Sequence, residues 1–138
     1  MASATPHYID AGANLLDSMY SGSYHGKPRH EPDLDLVLRR AYNNGVCSII
    51  SLAGTTKESQ DLLALIDRLE ENAVHVFGTV GIHPTRCAEE FAIKLSSDSG
   101  EEDPKWAPKT EQQQKEIIQN LISSIANAGK KKGNVVAI

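Results

Sequence analysis

The sequence predicts an α/β fold with a parallel sheet, because short apolar runs alternate with amphipathic helical patterns in the order βαβαβαβ. The predicted strands are apolar nearly throughout, as strands covered on both faces are. An open three-layer sheet and half of a barrel both have this order. No Gly-x-Gly-x-x-Gly follows the first strand and no Walker-type Gly-Lys-Ser/Thr occurs, which disfavours a nucleotide-binding open sheet. Four strands in 138 residues match the N-terminal half of a (β/α)₈ TIM barrel, since a whole barrel needs roughly 250 residues.

Four apolar runs are the predicted strands. They cover Tyr8–Asp10, Val46–Ala53, Val74–Ile82 and the terminal segment Asn134–Ile138. Because a parallel strand needs cover on both faces and a partner on each edge, we expect the sheet to continue past Ile138. We therefore expect residues 1–138 to form one partial barrel domain, a fragment of a longer chain.

Two amphipathic helices are predicted between the first three strands. The first begins near Pro32, which suits a first helical turn, and ends near Gly45. Its apolar residues recur at helical spacing and form one stripe: Leu34, Val37, Leu38, Ala41 and Tyr42. The second runs from about Lys57 to Glu71, with Thr56 as its cap. The residues that we expect to face the sheet are Leu62, Leu65, Ile66 and Leu69.

The remaining connections are predicted to hold two loops, a short helix and a third long helix. A loop rich in Gly, Ser and Tyr covers Ala11–Glu31, and a short helix covers Arg86–Leu95. A polar, acidic insertion follows at about Ser96–Lys109. The third long helix opens with a capping box at Thr110 and ends at Gly129. The residues that we expect this helix to turn inward are Ile118, Leu121, Ile122 and Ile125.

Polar residues follow the first three predicted strands. Asp10 and Asn14 follow the first strand, Thr55 follows the second and His83 follows the third. The carboxyl ends of parallel strands meet at one rim, where functional groups of α/β proteins lie. Asp, Asn and His can bind or orient divalent metals and phosphate oxygens. Each residue alone is as well explained as a turn or cap residue, but their shared placement predicts a site.

Composition narrows the class of protein. Hydrophobic content of 40% with 23% charged residues is typical of a globular domain, and the net charge of −4 carries no basic surface for nucleic acid. A metal-dependent phosphodiesterase remains compatible, because bound metals can supply the positive charge. No apolar stretch is long enough for a membrane span, so we expect no membrane partner. The N-terminus lacks a signal-peptide layout, and two cysteines 40 positions apart indicate reduced thiols, so we expect a cytoplasmic or nuclear protein. The cysteines also lack the spacing of a zinc site.

Five segments, in order, resemble motifs of the TatD family of metal-dependent deoxyribonucleases. They are Ile9–Leu15, Asp33–Ala41 followed by Gly45-Val46, Ala53–Ser59, Thr79–Cys87 and Val135–Ile138, of which Thr79–Cys87 matches best. The resemblance spans Tyr8 to Ile138 and implies a TIM-barrel hydrolase of the amidohydrolase type that cuts phosphodiester bonds in DNA. The form Gly12-x-Asn14 resembles the TatD-proper subgroup, to which eukaryotic members belong; many other members carry His-x-His there.

The resemblance also implies cofactors, a substrate and site residues. It implies two divalent metal ions in the intact protein, Mg²⁺ first and Zn²⁺ or Mn²⁺ as alternatives, and DNA as the substrate in DNA catabolism. Family members take metal ligands from a Glu after the fourth strand, two later His and a late Asp, none of which this chain contains. We therefore expect no complete metal site within the chain and no activity from it alone. His83 carries over as the catalytic residue, with Asp10 and Asn14 in the metal or phosphate pocket.

Two other functions stay open. The chain could belong to an amidohydrolase-type barrel that acts on a small amide or ester, since fold and motif do not fix the substrate. It could also be a non-catalytic, truncated half-barrel that only binds a partner. No obligate protein partner is predicted.

Overall fold

The computed structural model of the chain describes residues 7–69, 74–95 and 106–131. Along the chain the elements are β1 (Tyr8–Ala13), β2 (Ser23–Tyr24), β3 (Lys27–Pro28), α1 (Leu34–Asn43), β4 (Val46–Ser51), α2 (Thr56–Arg68), β5 (His75–Gly78), α3 (Cys87–Phe91), β6 (Ala92–Lys94), β7 (Trp106–Pro108) and α4 (Glu111–Lys131). This alternation of strands and helices confirms the predicted α/β class. The predicted terminal strand, Asn134–Ile138, lies outside the described residues.

Strands β1, β4 and β5 form one parallel sheet with β4 in the middle, as the sequence predicts. Pairing places Asp10 of β1 opposite Ile49 of β4, and Ser48 of β4 opposite His75 of β5. Between Asp10 and Ala13, β1 holds one residue more than β4 does, so the register shifts there. Such a β-bulge bends a strand and re-aims its side chains. The bend falls at the carboxyl end of β1, where the sequence predicts a site.

The core lies between the sheet and helices α1 and α2. Its members include Leu15, Leu34, Leu38, Ile49, Leu62, Ile66, Leu69, Val74 and Val76. Taking a large apolar side chain fully out of water favours folding by about 1.5–3 kcal/mol. The predicted inward side of α2 is confirmed, because Leu62, Ile66 and Leu69 are buried and Leu65 packs against the same core. Helix α2 is thereby fixed against the sheet, with its first turn next to the end of β4.

Helix α1 ends at Asn43, and Gly45 follows with a φ of 89°, in the left-handed region that ends many helices. The predicted end near Gly45 is therefore confirmed. Of the predicted apolar stripe, Leu34 and Leu38 are buried in the core, whereas Tyr42 is half exposed. The sheet covers only part of the apolar stripe of α1, so Tyr42, the last residue of the stripe, lies at the edge of this contact.

The predicted third strand, Val74–Ile82, is too long. The backbone N–H of Thr79 still donates to the carbonyl oxygen of Ser51 at 3.0 Å. The N–H of Gly81, however, donates to the side-chain oxygen of Ser59 at 3.2 Å, so the chain has left the sheet by then. The apolar run continues past the strand because Thr79 and Val80 are also buried. Periodicity cannot distinguish a buried loop of this kind from a strand.

The connections hold more structure than predicted. The predicted loop Ala11–Glu31 starts inside β1 and contains a short 3-10 helix, Ser18–Ser21, and the antiparallel β2–β3 hairpin. The predicted short helix Arg86–Leu95 ends early, and β6 takes its second half. Strand β6 pairs antiparallel with β7, which lies within the predicted insertion Ser96–Lys109; residues 96–105 lie outside the described part. Strands of two or three residues are too short to show alternation in a sequence.

Helix α4 begins as predicted but presents a different side. The Thr110 hydroxyl accepts from the N–H of Gln113 at 3.3 Å, and the Gln113 side chain accepts from the N–H of Thr110 at 3.0 Å, which confirms the capping box. The prediction that Ile118 and Ile122 point inward is wrong, because they are 49% and 53% exposed. The half-buried residues are Gln114, Ile117, Leu121, Ser124 and Ile125. The apolar residues of α4 span too wide an arc of the helix for one neighbouring surface to cover them all. They are Ile117, Ile118, Leu121, Ile122 and Ile125.

Within the described residues, no helix combines the length and the apolar character needed to cross a membrane.

Candidate functional site

The carboxyl end of β1 is open to solvent. Asp10 and Asn14 are both exposed. One carboxylate oxygen of Asp10 accepts from the backbone N–H of Gly12 at 3.1 Å, which holds the β-bulge in shape. A Cβ added to Gly12 would meet nothing within 4 Å. The bulge thus keeps one Asp10 oxygen occupied and leaves free space beside it.

The end of β1 is tied to the end of β4. The buried Ser51 side chain accepts from the backbone N–H of Leu15 at 3.2 Å. The N–H of Leu52 donates to the carbonyl oxygen of Ala13 at 2.9 Å. Both bonds hold the chain on either side of Asn14 against the end of β4, the central strand of the sheet.

Thr55, at the rim after β4, caps helix α2. Its backbone is extended, with φ −141° and ψ 166°, and its side chain accepts from the N–H of Glu58 at 3.1 Å. The predicted cap, Thr56, is wrong, because Thr56 is already the first helical residue. Two adjacent threonines give the same sequence signal, and only the backbone conformation separates them. Thr56 instead donates its N–H and its hydroxyl to the carboxylate of Glu90, at 2.8 and 3.1 Å.

Glu58 makes two contacts at the beginning of α2. One carboxylate oxygen accepts from the backbone N–H of Gly54 at 2.8 Å. In an ordinary capping box this side chain would accept from the N–H of the cap residue, Thr55. Here it accepts from the N–H of the preceding residue, Gly54. The other oxygen of Glu58 lies 3.4 Å from the guanidinium of Arg86. Glu58 therefore connects the loop after β4 to the loop after β5.

Arg86 lies between two carboxylates. Besides Glu58, its Nε lies 2.7 Å from an oxygen of Glu89. The side-chain contact with Glu89 raises the pKa of Arg86 above its usual value; burial opposes this rise, and the charges of Glu89 and Glu58 add to it. The raised pKa favours the cationic form of the side chain. Its charge is balanced by these partners, which suits a structural link.

Further hydrogen bonds join the loop after β4 and the beginning of α2 to the loop after β5. The N–H of Ala53 donates to the Thr79 hydroxyl at 3.0 Å, and the N–H of His83 donates to the carbonyl oxygen of Gly54 at 3.0 Å. The fully buried Ser59 hydroxyl donates to the carbonyl oxygen of Thr55 at 2.9 Å while it accepts from Gly81. These bonds fix the backbone that carries His83.

His83 has a defined ring orientation. Its Nδ1 accepts from the backbone N–H of Thr85 at 3.2 Å and lies 2.7 Å from the Thr85 hydroxyl. A backbone N–H can only donate, so in this arrangement Nδ1 is the accepting nitrogen of the ring. The ring proton is then on Nε2, which makes Nε2–H a donor. His83 lines a cavity of about 120 Å³ together with Leu52, Ala53, Thr79, Gly81, Ile82 and Pro84.

The structure places the predicted site residues on one rim without joining them. Asp10 and Asn14 follow β1 and His83 follows β5, with β4 between them. At about 4.8 Å per strand spacing, β1 and β5 are roughly 10 Å apart. Among the described residues, no hydrogen bond or ion pair links His83 to the other two. Nor does this part of the chain hold three His, Cys, Asp or Glu side chains grouped closely enough for a metal ion.

The sequence prediction missed Glu58, Arg86 and Glu90. For Glu58 a signal existed, because Thr55 and Glu58 have capping-box spacing once the cap is placed at Thr55. For Glu90, and for the contact of Arg86 with Glu58, none existed, since these partners lie 34 and 28 positions away in sequence. Such contacts depend on the packing of α3 beside α2.

Two curated proteins that resemble the chain carry the same name. The chain is 33% identical over 92 residues to "Deoxyribonuclease Tat-D" of Saccharomyces cerevisiae, covering 66% of this chain and 22% of that protein. It is 30% identical over 130 residues to "Deoxyribonuclease Tat-D" of Schizosaccharomyces pombe, covering 94% of this chain and 35% of that protein. The chain thus spans about a third or less of the length of the curated relatives it matches. No protein-family profile matches it.

Two solved structures resemble the fold of this chain. A TatD family hydrolase from Entamoeba histolytica superimposes with a TM-score of 0.71 at 31% identity, covering 99% of this chain and 37% of that one. An uncharacterized amidohydrolase from Saccharomyces cerevisiae gives a TM-score of 0.60 at 27% identity, covering 91% of this chain and 30% of that one. A sequence match over 94% of the chain and a structural match over 99% of it therefore both lead to proteins named for TatD.

Proposed function

Because the chain belongs to the TatD family, we propose that it forms part of a metal-dependent deoxyribonuclease, in which its rim binds the phosphodiester group of DNA. The curated relatives named as deoxyribonucleases support this choice of substrate. We further propose that the parallel sheet is the N-terminal half of a (β/α)₈ barrel. The confirmed strand order and the superposition on a TatD family hydrolase support that arrangement.

The observation that carries the proposal is the ring of His83. A phosphodiester oxygen is an acceptor only, and an N–H donor in a partly enclosed site suits it. His83 is exposed, lies at the carboxyl end of the sheet and has its Nδ1 bound to Thr85, which leaves Nε2–H for a ligand. Two loops hold its backbone through bonds to Gly54 and Arg86. In the proposed role, Nε2–H donates to a non-bridging phosphate oxygen and orients the group.

Asp10 and Asn14 have a supporting role in this proposal. One Asp10 oxygen is bound to Gly12, and its other oxygen is available on an exposed carboxylate. The amide of Asn14 can donate to a phosphate oxygen or present its own oxygen. Together they would line the β1 side of a pocket whose β5 side is His83.

Divalent metal ions are part of the proposal, with Mg²⁺ first and Zn²⁺ or Mn²⁺ as alternatives. When bound, such an ion supplies positive charge at the phosphate. The described residues do not fit a metal ion by themselves, because they offer no group of three ligating side chains. A divalent ion takes several oxygen or nitrogen ligands, so most of the ligands would lie outside these residues. The work of the described residues is to bind and orient the substrate.

The test combines binding and cleavage. Inorganic phosphate and a short single-stranded DNA are titrated into the 138-residue chain while the ring signals of His83 are followed by NMR. Nucleotide release from DNA is then measured with Mg²⁺, Mn²⁺ and Zn²⁺, for this chain and for any longer polypeptide read from the same transcript. We expect phosphate to shift the His83 signals, cleavage by the longer polypeptide and none by the 138 residues. Absence of both phosphate binding and metal-dependent cleavage would overturn the proposal.

A second candidate is hydrolysis of a small amide or ester. The structural relative named as an amidohydrolase favours keeping it, and the fold does not choose between the two substrates. The same cleavage assay with small amide and ester substrates separates them. Turnover of an amide without release of nucleotides would favour this candidate over the deoxyribonuclease.

A further inference from the structure

We infer that Glu58 is a positioning residue for His83, because its two carboxylate oxygens hold both ends of the turn that His83 begins. The inference rests on the proposed phosphate-binding role of His83 and adds how the protein maintains that role. Glu58 itself does not line the cavity beside His83. It acts through Gly54 on one side and through Arg86 on the other.

The first path runs through Gly54. Glu58 accepts from the N–H of Gly54 at 2.8 Å, and the carbonyl oxygen of Gly54 accepts from the N–H of His83 at 3.0 Å. Gly54 therefore uses both of its backbone polar groups to connect the Glu58 side chain to the backbone of His83. There is little space to spare, since a Cβ added to Gly54 would lie 3.2 Å from a Glu58 oxygen and 3.4 Å from the Cβ of His83. A shift of Glu58 would move the backbone that holds His83.

The second path runs through Arg86. Its guanidinium lies 3.4 Å from Glu58, and its backbone N–H donates to the carbonyl oxygen of His83 at 2.8 Å. That last bond closes the 3-10 turn Pro84–Arg86, in which His83 is the cap and Thr85 bonds Nδ1. Glu58 thus fixes the start of the turn through Gly54 and its end through Arg86. With both ends held, the bonds from Thr85 keep the ring in one orientation.

The chemistry of the carboxylate explains why a glutamate serves here. Its two oxygens are both acceptors, and the two contacts need one acceptor for an N–H and one for a cation. Glutamine keeps one acceptor for Gly54 but then turns its NH₂ group toward Arg86, where it cannot accept. Alanine removes both contacts. The two substitutions therefore separate the Gly54 path from the Arg86 path.

The experiment reads the ring of His83 directly. In the ¹⁵N-labelled 138-residue chain, long-range ¹H–¹⁵N spectra identify which ring nitrogen carries the proton. We expect wild type to show the Nε2–H tautomer, Glu58→Ala a mixture of tautomers, and Glu58→Gln only a small share of the second tautomer. Phosphate should then bind Glu58→Ala about three- to tenfold more weakly, with Glu58→Gln close to wild type. Thermal unfolding of each variant shows whether the fold as a whole is affected.

Asp61→Ala is the matched control. Asp61 pairs with Lys57 at 2.6 Å on the exposed side of the same helix, so its loss should leave the His83 spectrum unchanged. If Glu58→Ala does not fold, Arg86→Gln tests the second path alone and should loosen the ring to a smaller extent. A wild-type tautomer in Glu58→Ala, or an equal change in Asp61→Ala, would overturn the inference. If the tautomer changes as expected but wild type ignores phosphate, the positioning role stands and the phosphate-binding role of His83 fails.

Discussion

The backbone N–H of His83 donates to the carbonyl oxygen of Gly54 across 3.0 Å, and this bond joins the loop after β5 to the loop after β4. Gly54 is bound in turn by Glu58 at the beginning of α2. A loop residue of the candidate site is therefore supported by a helix that is fixed in the core through Leu62 and Ile66. Binding residues carried on loops depend on such rigid support for their geometry.

His83→Ala should weaken phosphate binding with the fold intact, because the side chain is exposed. A hydrogen bond to a charged group contributes about 1.5–3 kcal/mol, which corresponds to roughly ten- to hundredfold in affinity or in cleavage rate. Phosphate titration of the chain and cleavage kinetics of an active longer polypeptide measure the effect. The control is His75→Ala, since His75 is exposed in β5 at the other end of the strand. Equal behaviour of wild type and His83→Ala would remove His83 from the site.

Gly54→Ala should disturb the site where Gly12→Ala does not. The added Cβ at Gly54 would come within 3.4 Å of both Glu58 and His83, whereas at Gly12 it would meet nothing within 4 Å. Crowding of this kind costs about 1–3 kcal/mol, while an alanine in open space is tolerated or slightly stabilising. Chemical denaturation measures the free energy of unfolding, and NMR reports the ring signals of His83. Identical unfolding curves and His83 spectra for the two variants would contradict the close packing around Gly54.

The sequence predicts the order of the elements but not the contacts between their loops. Parallel strands and the inward side of α2 follow from periodicity, since burial imposes the repeat. The choice of Thr55 over Thr56 as the cap depends on a backbone angle that neighbouring threonines do not reveal. The ion pair of Glu58 with Arg86 depends on how the loops after β4 and β5 meet. It involves no local spacing that a pattern could detect.

Helix α4 shows the other limit of sequence prediction. The spacing of its apolar residues predicts an amphipathic helix, which the structure confirms. The spacing does not predict which of these residues are buried. Residues Ile117 and Leu121 are half-buried, while Ile118 and Ile122 remain exposed. The apolar stripe is wider than the surface that the helix packs against. The packing angle of the helix therefore decides which of these residues are buried.

Ser59→Ala should destabilise the chain by about 1–3 kcal/mol. The hydroxyl is fully buried and accepts from the N–H of Gly81 at 3.2 Å. Its removal leaves that N–H without its partner beside the core, and loses the bond to the carbonyl oxygen of Thr55. The control is Ser123→Ala, which removes an exposed hydroxyl on α4 that bonds the carbonyl oxygen of Gln119. A loss of unfolding free energy no larger for Ser59→Ala than for Ser123→Ala would show that the Gly81 bond is not needed.

The exposed side of α4 should make the chain self-associate. Ile118 and Ile122 lie one turn apart on the helix and are about half exposed, and a contiguous apolar surface favours association. We expect oligomers or aggregates of wild type in sedimentation velocity, and less association in the double variant Ile118→Ser, Ile122→Ser. The control, Gln119→Ser, changes an exposed polar residue of the same helix and should sediment like wild type. A sharp monomeric boundary for wild type, together with a single cooperative thermal transition, would show that this side needs no cover.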